Sequence, residues 1–214
     1  GLDRTASLVK QAKSEEPNTL LLDNGDLIQG TPLGTYVAKE SDLKDPTNVT
    51  DIHPMIAAMN AMGYDAATFG NHEFNYGLQF LDRTINGSTG NEMTTGANFD
   101  YVNANIYKMD GVTNAYQPYV ILPKKVTDSN GDEQTIQVGL IGLVTPQIME
   151  WDKVNLEGKV VVEDIAKTAE KFVPEMKAKG ADVIVAMAHT GFDVNAVTGD
   201  GSENDINALS KVPD

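Results

Sequence analysis

Three short polar clusters carry residue types that could do chemistry together: Asp23-Asn24-Gly25-Asp26, Gly70-Asn71-His72-Glu73 and His189-Thr190-Gly191. A carboxylate, an amide oxygen and an imidazole suit a divalent metal of intermediate hardness such as Mn²⁺, Zn²⁺ or Fe²⁺. Each cluster directly follows an apolar run, and in open α/β sheets ligands bind in the crevice outside the carboxyl ends of the strands. Asp26, Asn71 and His189 can therefore meet although they lie far apart in the chain. Each cluster also has a plainer reading. Asn24-Gly25 fits a type I′ hairpin, in which Asp26 is only a turn residue. His72 fits a hydrogen-bonded structural histidine, and His189 a capped strand end. Against the hairpin, Leu27 to Pro32 makes a poor return strand, broken by Gly30 and Pro32. Gly70 lets the backbone come close to whatever Asn71 faces.

The elements that would position these clusters alternate between strand and helix, the pattern of a layered α/β domain. Leu2, Ala6, Val9 and Ala12 predict a first helix, and Thr19 to Leu22 a short strand. Pro54 opens a helix over Met55 to Met62 that Gly63 caps. Ala66 to Phe69 reads as a buried strand stopping at Gly70, and Leu78 to Ile85 as a third helix. Asn86 to Asn98 reads as a loop. Val120 to Leu122 and Ile136 to Ile141 flank a turn cluster, Asp128 to Asp132, and predict a hairpin. Ile165, Ala169, Phe172, Val173 and Met176 follow helical spacing, with Pro174 predicting a kink or early stop. Val183 to Ala188 is a continuous apolar strand, as in a sheet covered on both faces, and ends at His189. A single domain over residues 1–214 follows, with no internal linker.

Composition narrows the function. The chain of 214 residues has a net charge of −15, which argues against a nucleic-acid polymer or an anionic membrane as the main partner. No run reaches the roughly 18 apolar residues of a membrane span. With no cysteine, disulfides, thiolate metal sites and cysteine nucleophiles are excluded. His53 reads as a surface residue beside a helix start. Asp128 to Asp132 lacks the glycine and terminal glutamate of an EF-hand. Asp200, Glu203 and Asp205 read as a solvated acidic loop.

The strings Asp23 to Gly30, Gly70 to Gly77, Pro146 to Met149, Trp151 to Lys153 and Pro174 to Lys177, with His189-Thr190-Gly191, resemble the calcineurin-like metallophosphoesterases. Within them the chain resembles the bacterial 5′-nucleotidase group, above all its 2′,3′-cyclic-nucleotide 2′-phosphodiesterase/3′-nucleotidase branch. The resemblance spans nearly the whole chain. It implies a layered α/β/β/α domain with mixed β-sheets. It implies Asp26 as a carboxylate bridging two metal ions, Asn71 and His189 as ligands of the second, and His72 as the catalytic histidine serving the leaving oxygen. Two divalent ions (Mn, Zn, Fe, Co or Mg) would clamp a phosphoryl group and acidify a water, offsetting the repulsion between an acidic protein and its substrate.

The 5′-nucleotidases of this group place an aspartate where Asn75 stands, orienting the histidine. The amide favours the cyclic-phosphodiesterase branch, acting on 2′,3′-cyclic and 3′-nucleotides, over a 5′-nucleotidase or UDP-sugar hydrolase. A non-catalytic surface or solute-binding domain on the same fold is the reading from another class. The family's Asp-x-His and Gly-His-x-His motifs and its C-terminal nucleotide-binding domain do not occur in residues 1–214. The expectation is thus a segment incomplete at both termini, holding at most one ion weakly, with weak or no activity. The resemblance also implies a periplasmic, secreted or cell-surface location in bacteria.

Overall fold

The computed structural model describes residues 1–45, 47–48, 50–87 and 95–213. In chain order its helices are α1 (Leu2–Glu15), α2 (Pro32–Lys39), α3 (Pro54–Met62), α4 (Leu78–Asn86), α5 (Ile148–Trp151), α6 (Lys153–Leu156), α7 (Ile165–Ala178) and α8 (Ile206–Leu209). The strands are β1 (Leu22–Asp23), β2 (Ala66–Ala67), β3 (Asp100–Tyr101), β4 (Ile106–Lys108), β5 (Tyr119–Thr127), β6 (Glu133–Val144), β7 (Val160–Val162) and β8 (Val183–His189). Single turns of 3₁₀ helix occupy Asp42–Lys44 and Asn71–Phe74.

Side-chain alternation along β6 stacks the layers. Val138 and Leu140 point to one face and join Ala66 of the parallel sheet β1-β2-β3 and Val102 just past β3. Ile141 and Leu143 point to the other face and meet Ile165, Ala169, Phe172 and Met176 of α7. On the far side of the first sheet, Ala67 packs against Ile56 and Met59 of α3. The order is therefore helix, sheet, sheet, helix, as the resemblance implies. In the second sheet β5 pairs antiparallel with β6, and β8 pairs parallel with β6.

The expected hairpin forms, with the Asp128 carboxylate accepting from the Asn130 and Asp132 N–H groups in its turn. The helix at Pro54 is capped by Gly63 in the left-handed region (φ 69°). Helix α7 runs through Pro174 to Ala178, so no early stop occurs. Part of the Asn86 to Asn98 loop, residues 88–94, lies outside the described residues.

Strand β8 is covered on both faces as expected, with Val185 and Met187 toward the first sheet and Ile184 and Ala188 toward α7, although Val183 at its start is 46% exposed. Two expectations are corrected. His53 is buried, not a surface residue. Its Nδ1 accepts the Met55 N–H as the cap of α3, and its ring stands edge-on to Phe80. The acidic stretch is only partly solvated, since Asp205 is wholly buried while Asp200 is exposed. Helix α2 escaped sequence reading, although Thr31-Pro32 is a capping signal; the Thr31 hydroxyl accepts from the Gly34 N–H.

A fourth core lies beneath the loops at the strand ends. Phe69 and Phe74 bracket the Asn71–Phe74 turn, fully buried and edge-to-face. Burying each contributes about 2–3 kcal/mol, which fixes the turn between them. Among the described residues no helix is long and apolar enough to cross a membrane.

Candidate metal centre and crevice

Strand β1 ends at Asp23, whose carboxylate accepts the Gly25 N–H at 2.9 Å. The chain then turns through two left-handed residues, Gly25 (φ 92°) and Asp26 (φ 65°). Asp26 is the one non-glycine residue with positive φ among the described residues, and such a conformation costs about 1 kcal/mol or more. A buried carboxylate holds it there. Glu73 Oε2 accepts from the N–H groups of Asp26 and Gly70, both at 2.6 Å, while Oε1 accepts from Leu27 at 2.6 Å and Ile28 at 3.3 Å. One side chain thus ties the loop after β1 to the loop after β2. Side chains are excluded at the crossing. A Cβ on Gly25 would lie 1.9 Å from the Gly70 nitrogen, and one on Gly70 would lie 2.3 Å from Asp26 Oδ1 and 2.7 Å from His189 Cε1. The hairpin reading of Asn24-Gly25 does not hold, because residues 27–31 form no return strand and α2 opens at Pro32.

Asp26, Asn71 and His189 come together. Asp26 Oδ1 accepts the His72 N–H at 3.0 Å, and Oδ2 lies 3.4 Å from His189 Nε2. The same Nε2 lies 3.1 Å from Asn71 Oδ1. His189 Nδ1 lies 2.7 Å from the Asn24 carbonyl and must donate its proton there. Nε2 therefore faces two acceptor oxygens, and the trio is complete only with positive charge among them, a proton on Nε2 or a cation. Separations of 3.1 and 3.4 Å match the spacing of ligand atoms around an ion bonded at about 2.1 Å. The donor set thus fits a divalent metal held by Asp26, Asn71 and His189.

His72 stands beside this trio on a separate chain of hydrogen bonds. Its Nδ1 lies 2.7 Å from Asn75 Oδ1, and the Asn75 amide donates to both oxygens of Asp152 at 3.0 and 3.1 Å. Asp152 is 7% exposed. Its carboxylate accepts only, so it fixes the amide with oxygen toward His72. The proton then sits on Nδ1, and Nε2 is left as the working nitrogen.

The neighbourhood is acidic. Burial pushes the Asp23 carboxyl up to about 6; the Gly25 N–H opposes this and the Glu73 charge adds to it. A crevice of about 320 Å³ opens over Asn71 and His189, walled by Thr145, Asn204 and Trp151, whose ring is half exposed. Sequence reading gave no role to Glu73 or Asp152. The first had a signal, since Gly70-x-x-Glu73 is capping-box spacing. The second had none, because its partner Asn75 is 77 positions away.

Residues 1–211 match the family model described as calcineurin-like phosphoesterase. The chain is 53% identical over 206 residues to the trifunctional nucleotide phosphoesterase YfkN of Bacillus subtilis, covering 96% of this chain and 13% of that protein. It is 47% identical over 213 residues to the 2′,3′-cyclic-nucleotide 2′-phosphodiesterase/3′-nucleotidase of Salmonella typhimurium, covering 100% of this chain and 31% of that one. The crystal structure of the calcineurin-like phosphoesterase YfkN from B. subtilis superposes with a TM-score of 0.88 at 52% identity, covering 99% of this chain and 60% of that chain. The chain spans less than a third of the length of both curated relatives.

Proposed function

The chain belongs to the calcineurin-like phosphoesterase family, and we propose on that basis that it carries the metal-dependent phosphoesterase chemistry of a protein that opens 2′,3′-cyclic nucleotides and then removes the 3′-phosphate. The observation that carries the reading is the convergence of Asp26 Oδ2, Asn71 Oδ1 and His189 Nε2 beside His72. Similarity to the Salmonella enzyme over the full chain supports the substrate class.

Asp26, Asn71 and His189 would hold a divalent metal, with Asp26 the bridging carboxylate where a second ion binds. When bound, such ions polarise phosphoryl oxygens and lower the pKa of water. His72 carries a proton on Nε2 to the leaving oxygen, O2′ when the cyclic ester opens and O3′ in the second step. In each step the P–O bond to that oxygen breaks, and the elements of water are added across it. Asn75 keeps the ring aimed by accepting from Nδ1, and Asp152 behind it holds the amide in that orientation. Glu73 keeps Asp26 in its left-handed turn. A periplasmic or cell-surface location accords with this reading.

The test is Mn²⁺-dependent turnover of 2′,3′-cyclic AMP, 3′-AMP and 5′-AMP by the chain extended to the length of its relatives and by the His72→Ala variant of that protein, beside calorimetric Mn²⁺ binding. The expected outcome is preference for the first two substrates, with turnover down at least a hundredfold in the variant and Mn²⁺ binding intact. Faster turnover of 5′-AMP would overturn the substrate assignment. Unchanged turnover in the variant would overturn the role of His72.

A further inference from the structure

A second group of carboxylates lies outside this centre. Asp164, Asp200 and Asp205 each bring a carboxylate oxygen within 4.8 Å of the others. They come from three places: Asp164 caps α7, Asp200 sits in the loop after β8, and Asp205 directly precedes α8. Asp205 is completely buried. Its Oδ2 accepts from the Ala166 N–H at 3.0 Å, yet its Oδ1, equally buried, has no hydrogen-bond partner among the described residues. A buried, unpartnered carboxylate oxygen costs on the order of several kcal/mol unless something positive meets it.

What surrounds Asp205 is further negative charge. Burial pushes its carboxyl up to about 6, and Asp164 and Asp200 push it the same way. The neighbours are already oriented by backbone donors. Asp164 accepts from the Lys167 and Gly201 N–H groups, and Asp200 from those of Val197 and Ser202. All three ligands are oxygens, with no nitrogen or sulfur donor. Hard cations with flexible coordination prefer such a set, and calcium fits it better than magnesium, which demands near-ideal octahedral geometry.

We infer that Asp164, Asp200 and Asp205 form a calcium-binding site, separate from the Asp26 centre, that locks the loop after β8 onto the N-terminus of α7. The loop matters to the crevice. Asp205 donates its N–H to the Thr190 hydroxyl, next to His189, and Asn204 forms part of the crevice wall. Exposed Asp200 gives the ion its entry.

The experiment is calorimetric melting of the metal-stripped chain with added Ca²⁺, together with direct Ca²⁺ titration. We expect one Ca²⁺ per chain and a midpoint raised by roughly 5–10 °C at a hundredfold excess over Kd. The shift should persist in Asp26→Asn and vanish in Asp205→Asn. In the latter variant the introduced amide can still accept from Ala166 through its oxygen while its NH₂ donates toward Asp164. Metal-free Asp205→Asn should therefore melt above the metal-free wild type. Should that variant fail to fold, the exposed Asp200→Asn should bind Ca²⁺ at least tenfold more weakly. No Ca²⁺-dependent shift in the wild type overturns the inference, as does a shift that survives both substitutions. A midpoint raised only by acid, with no response to Ca²⁺, would show that a proton fills the site and overturns it equally.

Discussion

Replacing Glu73 by Gln removes one oxygen and a charge from a side chain that accepts four backbone N–H groups and is 2% exposed. The volume is unchanged, so packing is not the variable. Whichever way the amide turns, its NH₂ faces two N–H donors, either those of Asp26 and Gly70 or those of Leu27 and Ile28. Hydrogen bonds to a charged acceptor contribute about 1.5–3 kcal/mol each, so losing two removes roughly 3–6 kcal/mol. The other two fall to the neutral value of about 1 kcal/mol, while relief of the buried charge returns part of the loss. A net destabilisation of about 3–4 kcal/mol results, a large share of the ~5–15 kcal/mol that keeps a domain folded. The assay is urea unfolding followed by circular dichroism, with calorimetric Mn²⁺ binding at a denaturant-free temperature well below the midpoint. Mn²⁺ affinity should fall at least tenfold even in the folded fraction, because Asp26 loses what holds it at φ 65°. A loss under about 1 kcal/mol with wild-type Mn²⁺ binding would refute the reasoning.

Asp26→Asn should keep stability within about 1 kcal/mol while losing Mn²⁺ binding, because asparagine tolerates the left-handed conformation and can still accept from His72. Asp26→Ala should cost about 1–2 kcal/mol more in urea unfolding, and equal midpoints would contradict the strain assigned to this turn. Asn75→Asp should not improve turnover, since it sets two carboxylates about 3 Å apart against Asp152, and it should destabilise by about 2 kcal/mol; faster turnover in that single variant would refute the relay, and Asn75→Asp with Asp152→Asn should recover stability. Burial and then the Arg83 charge lower His53 from 6.5 to about 4, below its unfolded value, so the unfolded chain takes up the proton first. This contribution is whole above pH 6.5 and falls by about 3 kcal/mol on the way to pH 4. Asp23 and Asp205, raised from 3.8 to about 6, act in the opposite sense over that range, so the quantity to measure is wild type minus His53→Asn, whose side chain can still cap α3. A difference that does not change with pH would rule the effect out.

The parts of the molecule legible in sequence are those set by local pattern. Helices α3 and α7 announce themselves through apolar spacing and terminal residues, and the β5–β6 hairpin through its turn. The three strand-end clusters were visible because buried strands are apolar and their ends abruptly polar. What stayed hidden depends on partners distant in the chain. Glu73 gathers three of its four donors from residues 45 to 47 positions away, and its capping-box spacing from Gly70 announces only the fourth. His53 looks exposed beside a proline until α4 brings Phe80 and Arg83 against it. Asp205 reads as loop until the helix it precedes packs on α7.

The hydrogen bond from His189 to the Asn24 carbonyl, answered by the Asn24 amide on the Ala188 carbonyl, stitches the end of β8 to the end of β1. Those two strands belong to different sheets. An ion gripped by Asp26 and Asn71 on one side and His189 on the other would be a rivet through the seam, and its affinity would contain the work of keeping the sheets in register. The interior between them, Leu140 against Ala66 and Val102, then becomes a remote dial on binding. Loosening that packing would weaken the grip without touching a ligand, and filling the seam would stiffen backbone amides far below the crevice.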